Sequence, residues 1–258
     1  MTMVNRQHII IPYGVTHWDK NVFSSTMGAG GDLVINCRTR FVVIDPTEHS
    51  PLRLNGGQYE FHEPPNMRLL PTVLDQLAFL ETHFFALCGT WSKMQRLFIS
   101  RYFEFIVNRV EAERSHLSKS IEAFGNLYEY QDWAYSALRP LPQAYVFAPR
   151  GGSGEGLPQA DDFILTDIVF WTGKKVFVLD FSDPNATDPF QKRKFDRIKN
   201  AGIKILPMTA DILEDKSSSN FANSLPEVFQ NFWQGELAPS RPFVDTKLGD
   251  LSISDIGF

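Results

Sequence analysis

The chain has 258 residues, 43% of them hydrophobic, and a formal net charge of -5. That is enough apolar material for one large domain or two small ones. The negative balance excludes a protein that coats nucleic acid through its overall charge, though it leaves room for a local basic patch. The two cysteines, Cys37 and Cys88, are far apart, which excludes a disulfide framework and a cysteine-based zinc site; both are expected to be reduced, buried thiols.

Residues 1–66 read as β-rich. Short apolar runs at 8–11, 32–37 and 40–44 are separated by Gly, Pro, Asn and Ser. MGAGG at 27–31 precedes a strand instead of following one, so it lacks the strand-loop-helix order of a phosphate-cradling loop and reads as a turn. His8, His17, His49 and His62 lack the close spacing of a metal motif. HEPPN at 62–66 is the expected linker, because its prolines oppose regular structure. The first residues lack the basic start and apolar run of a secretory signal, and no apolar stretch approaches the ~20 residues that span a bilayer. A cytoplasmic protein that avoids membranes is the expectation.

From Pro71 the apolar period becomes helical. Val73, Leu74, Leu77, Leu80, Phe84 and Leu87 predict a helix that stops at Gly89. A second helix is predicted from Thr90 or Ser92, carrying Leu97, Phe98, Phe105, Ile106 and Val110 into a polar run at 111–120. Phe124, Leu127, Trp133 and Leu138 predict that helix resumes until Pro140, with a break at Gly125 or Asn126. LPQAYVFAP at 141–149 predicts a strand, and the glycine-rich stretch 149–159 a mobile hairpin loop, since no helix N-terminus follows it to receive phosphate.

TDIVFW at 166–171 and KVFVLDF at 175–181 predict an antiparallel hairpin around Thr172-Gly173-Lys174. Asp167 is expected to open its first strand and Asp180 to close its second, placing both carboxylates at one end, where they could share a cation. A helix is predicted over 189–200, ended by Gly202, with a strand at 203–206. Lys192, Arg193, Lys194, Arg197, Lys199 and Lys204 lie in 191–204 against the single acid Asp196. A charge run is more often a solvated face, but closeness to the two acids makes Lys192, Arg193, Arg197 and Lys199 candidate nucleic-acid contacts. Residues 211–220 are polar and serine-rich. Ser224-x-x-Glu227 has the pattern of a capping box before Val228, Phe229, Phe232 and Trp233. Residues 236–258 read as an extended tail.

The order helix, strand, strand, strand, helix, strand over 120–206, with acids at these positions, resembles the catalytic core of the PD-(D/E)xK nuclease superfamily. The resemblance covers about a third of the chain. It implies an α/β (α+β mixed) fold with a restriction-endonuclease-like central mixed sheet flanked by helices. The implied organisation is a β-rich region at 1–66, a helical segment plus nuclease-like core at 67–235 and a tail at 236–258.

Under that resemblance Thr166-Asp167 stands for the Pro-Asp position and Asp180-Phe181-Ser182 for (D/E)xK. Asp161 and Asp162 rival Asp167 as the first acid. A further acid often comes from the preceding helix; Glu129 is the first choice, with Asp132 and Glu122 behind it. Together Asp167, Asp180 and Glu129 would hold Mg²⁺ or Mn²⁺ against a phosphodiester. Ser182 departs from the pattern, because serine carries no positive charge where the family has lysine. Lys194 on the following helix is the expected replacement, with Lys192 and Lys175 as rivals. The resemblance therefore implies a metal-dependent nuclease, acting on DNA ahead of RNA. A protein partner or self-association is expected through the N-terminal region or the tail. If no cation replaces the lysine, the chain is a degenerate nuclease fold kept as a scaffold or nucleic-acid-binding subunit. A Rossmann-like nucleotide-binding domain ranks lower, because DFSDPNATDPF at 180–190 has no glycine-rich phosphate loop.

Overall fold

The computed structural model describes residues 70–88, 92–148, 162–172, 175–181, 188–206, 208–215 and 217–239, together with the backbone of four N-terminal strands. Ser182, Asp161, Cys37, the four N-terminal histidines, the 62–66 linker, the 149–159 loop and the tail beyond 239 lie outside the described residues. The N-terminal strands form two antiparallel pairs. β1 (Ile9–Tyr13) pairs with β4 (Arg40–Ile44), and β2 (Ser24–Met27) pairs with β3 (Leu33–Asn36).

The helical segment begins where Thr72 caps α1 (Val73–Leu87): its hydroxyl oxygen accepts from the Asp75 backbone N–H at 3.1 Å. The helix ends on Cys88, whose burial pushes the thiol up to about 12, so it stays protonated at neutral pH. α2 (Lys93–Ala112) buries a stripe of Phe98, Ile99, Tyr102, Phe103, Phe105, Ile106 and Val110. The polar run that follows is itself a short helix, α3 (Arg114–Ser120).

The expected helix over 121–140 is replaced by two 3-10 segments, Glu122–Phe124 and Tyr130–Ser136. Gly125 breaks between them with φ +61, a conformation that costs glycine little. Phe124 and Leu127 are exposed there, so the apolar residues that suggested a helical face do not form one.

Four strands make the central sheet, in the order β5 (Leu141–Phe147), β6 (Phe163–Trp171), β7 (Val176–Leu179) and β8 (Lys204–Leu206). β5–β6 and β6–β7 are antiparallel, and β7–β8 is parallel. The sheet is thus mixed, and α4 (Pro189–Asn200) supplies the crossover that a parallel pair requires. Asp188 caps α4 by accepting from the Phe190 N–H at 2.9 Å, and Pro189 takes the first helical position. Its far end is a Schellman turn. The N–H of Ile203 donates to Ile198 and that of Gly202 to Lys199, with Gly202 at φ +75.

Alternation along β7 divides the core in two. Phe177 and Leu179 join the large cluster formed with the helices, and Val176 and Val178 join a smaller one that includes Ile198 of α4. The large cluster is aromatic. Phe170 of β6 meets Phe229 at 4.9 Å and 82° and Tyr102 at 5.2 Å and 65°, edge-to-face contacts that complement the ring quadrupoles. The serine-rich stretch contains α5 (Ala210–Glu214) and α6 (Ser218–Ser224), and Phe229 lies on α7 (Glu227–Gln230). The expected Ser224 capping box does not form: Ser224 is the last residue of α6, where its hydroxyl donates to the Phe221 carbonyl at 2.6 Å. Pro226 sits at the start of α7 instead.

Candidate active site

The hairpin register decides where the two acids lie. Ile168 pairs with Leu179, so the next rung sets Asp167 opposite Asp180. β6 begins earlier than its sequence suggests, at Phe163, which makes Asp167 an interior strand residue and not the opening one. Phe163 to Thr166 extend the strand because they continue the ladder to β5.

Like charges on facing rungs repel, so this arrangement persists only with compensation. Asp180 receives it from α4: its carboxylate forms an ion pair with the Lys194 ammonium, with the two side chains 1% and 18% exposed. Asp167 receives it from hydrogen bonds. Its Oδ2 accepts from the Phe181 backbone N–H at 2.7 Å and its Oδ1 from the Gln95 side-chain amide at 2.6 Å. Burial pushes the Asp167 carboxyl above its ordinary range. The two hydrogen bonds pull it back, the Asp180 charge raises it, and the Lys194 charge lowers it.

Two backbone and side-chain irregularities surround Asp167. The β5–β6 ladder skips the rung between Gln143 and Asp167, and Gln143 has φ +47, a left-handed conformation that is costly for a residue with a Cβ. Gln95, on the first turn of α2, is 2% exposed. A carboxylate only accepts hydrogen bonds, so the Gln95 Nε2 must face Asp167, and its Oε1 is buried without a hydrogen-bond partner. Such an orphaned acceptor costs roughly 1–3 kcal/mol. Gln191, one turn before Lys194 on α4, likewise has a buried Oε1 without a partner.

The acids that face each other here are two carboxylates, and the Gln95 side chain that donates to one of them carries a buried carbonyl without a hydrogen-bond partner. Carboxylate and carbonyl oxygens are the ligand types that hard divalent cations take. Glu129, the expected third acid, is not brought to the pair. It caps the 3-10 segment Tyr130–Ser136, where its side chain accepts from the Asp132 backbone and Asp132 accepts from the Glu129 N–H at 2.7 Å. Both helical candidates are thereby spent on each other, and Glu122 is exposed. Among the described residues no three of His, Cys, Asp and Glu group as a metal site.

Comparison with protein-family models, curated proteins and solved structures found no match to this chain. Its chemistry is therefore read from the residues alone.

Of the candidate cations, only Lys194 reaches an acid of the pair. Lys175 is exposed at the turn end of the hairpin, opposite the end that carries Asp167 and Asp180. Asp162 precedes β6 and offers its backbone carbonyl to the Ala148 N–H at 2.7 Å. Lys192, Arg193 and Lys199 are exposed on α4, while the Arg197 guanidinium folds inward and donates its Nε–H to the Ala148 carbonyl at 2.9 Å. Gln95 is the residue that motif reading missed. Its signal is a polar side chain three and four positions before Phe98 and Ile99, on the stripe that α2 buries. Among the described residues no helix is long and apolar enough to cross a membrane.

Proposed function

We propose that the chain is a metal-dependent nuclease of the restriction-endonuclease-like type, hydrolysing phosphodiester bonds of DNA ahead of RNA. The observation that carries this reading is the Lys194–Asp180 ion pair beside Asp167. It supports a replacement for the lysine missing at Ser182, since a lysine from α4 brings positive charge to Asp180. The sheet order, with two antiparallel pairs, a crossover helix and one parallel pair, supports the same fold.

Asp167, Asp180 and the Gln95 carbonyl are the residues that would hold Mg²⁺ or Mn²⁺. When bound, such an ion supplies Lewis-acid polarisation of a phosphate and lowers the pKa of water. The protein's own contribution is placement: Gln95 and the Phe181 N–H orient Asp167, and Lys194 holds a positive charge where negative charge develops on the phosphate.

The test is incubation of purified protein with linear, circular and single-stranded substrates in Mg²⁺, Mn²⁺ or EDTA. Cleavage is expected with either metal, abolished by EDTA and absent in Asp180→Asn. Intact substrates under every condition overturn the reading. A second reading, a nucleic-acid-binding scaffold, draws on the missing third acid among the described residues and on the closed ion pair. It predicts binding without cleavage in the same assay.

A further inference from the structure

We propose that Phe190 is a base-stacking contact and that the nucleic-acid strand crossing this site is unpaired. The inference rests on the nucleic-acid reading above and names the form of its substrate. Phe190 lies on the first turn of α4 with 68% of its surface exposed. It stands apart from the buried stripe of that helix, which is formed by Phe195 and Ile198. No ring contact joins it to another described residue.

Its position gives the exposure meaning. Residues four apart lie one above the other along a helix, so Phe190 sits about 6 Å along the axis from Lys194, on the same edge of α4. Lys194 holds Asp180, so the ring stands at the lip of the candidate site. An exposed cation neighbours it on the helix surface: Arg193 lies three residues on, and its Nε–H donates to the Pro189 carbonyl at 3.1 Å, which ties that guanidinium to the same turn.

Scattered exposed apolar side chains are ordinary on protein surfaces. An exposed phenylalanine one turn from the lysine of a carboxylate–lysine pair, with Arg193 beside it, has a specific chemical complement: a phosphate for the cation and a base for the ring. Every base offers a π-face, so stacking is tolerant of sequence. Bases inside a duplex already stack on each other and present no free face. An unpaired strand therefore fits the surface better than a duplex does.

The experiment measures fluorescence anisotropy in EDTA, so that binding is read without cleavage, on a short DNA strand and on the same sequence as a duplex. The wild-type protein is expected to bind the single strand the more tightly. Phe190→Ala should weaken single-strand binding about tenfold and leave duplex binding unchanged. Phe190→Trp should retain it, whereas Phe190→Leu, which keeps apolar area without a ring, should not. Equal single-strand affinity for wild type and Phe190→Ala, or an equal loss on both substrates, overturns the proposal. The outcome is separable from the nuclease reading. Metal-dependent cleavage with no Phe190 effect sinks the stacking contact alone, and a Phe190 effect without cleavage sinks the nuclease alone. Binding of neither substrate overturns the stacking contact, and the cleavage assay decides the nuclease.

Discussion

Asp167 is held at a cost to stability. Its carboxyl is raised above its unfolded value, chiefly by burial, so the folded state binds the proton more readily than the unfolded chain does. Stability then falls as pH rises from the ordinary carboxylate value to the raised one, so above the ordinary carboxylate range this group works against the fold. Asp167→Asn removes that charge with no change of shape. The new amide can still accept from Phe181 N–H, and Gln95 can turn over to accept from it. We predict a higher melting temperature for Asp167→Asn at neutral pH, a gain that shrinks as the pH falls below the ordinary carboxylate range, while metal-dependent cleavage drops by more than roughly a hundredfold. A lower melting temperature at neutral pH would contradict the assignment of burial as the dominant influence.

Lys194 gives the opposite signature. Lys194→Met leaves the Asp180 carboxylate, 1% exposed, without its cation. Removing one partner of a buried pair costs roughly 3–5 kcal/mol, whereas replacing both is often nearly neutral. Denaturant unfolding should therefore show Lys194→Met strongly destabilised and the double variant Asp180→Asn/Lys194→Met close to wild type, with cleavage lost in each. Additive losses would show that the two side chains do not act as a pair.

Among the elements, α4 was the most legible in the sequence, because its ends carry their own chemistry. Asp188 and Pro189 start it, and Gly202 permits the left-handed turn that closes it. The hairpin was legible for a similar reason: its alternating runs and short turn fix a register, and the register brings Asp167 and Asp180 together. Residues 121–140 were misread, since aromatic side chains at helical spacing also suit 3-10 turns held by Gly125 and by the Glu129–Asp132 capping box. Basic residues on α4 looked alike in the sequence, and packing separates them. Arg197 ties the helix to the end of β5 through the Ala148 carbonyl, while Lys199 is exposed. Arg197→Ala should lower stability by roughly 1–3 kcal/mol, the cost of an unsatisfied buried acceptor. Lys199→Ala should stay within about 0.5 kcal/mol. Thermal unfolding of the two variants distinguishes a docking arginine from a surface cation.

Contacts that join distant parts of the molecule were the least legible, because periodicity describes only neighbours along one element. Gln95 meets Asp167 across 72 positions, and Arg109 of α2 reaches the Gln230 carbonyl across 121. The same limit applies to charge. A net charge of -5 describes the whole chain, yet Lys192, Arg193 and Lys199 form an exposed basic face on one helix. If that face follows a phosphate backbone, each cation that neutralises a phosphate releases a counterion, and the logarithm of affinity falls with the logarithm of salt by about 0.7 per contact on a single strand. Replacing all three with glutamine should thus flatten the salt slope for single-stranded DNA by about two. Phe190→Ala should lower affinity at every salt concentration with the slope unchanged, because stacking displaces no counterions. A slope that the triple variant leaves intact would locate the phosphate path away from α4, whatever the acids beneath it do.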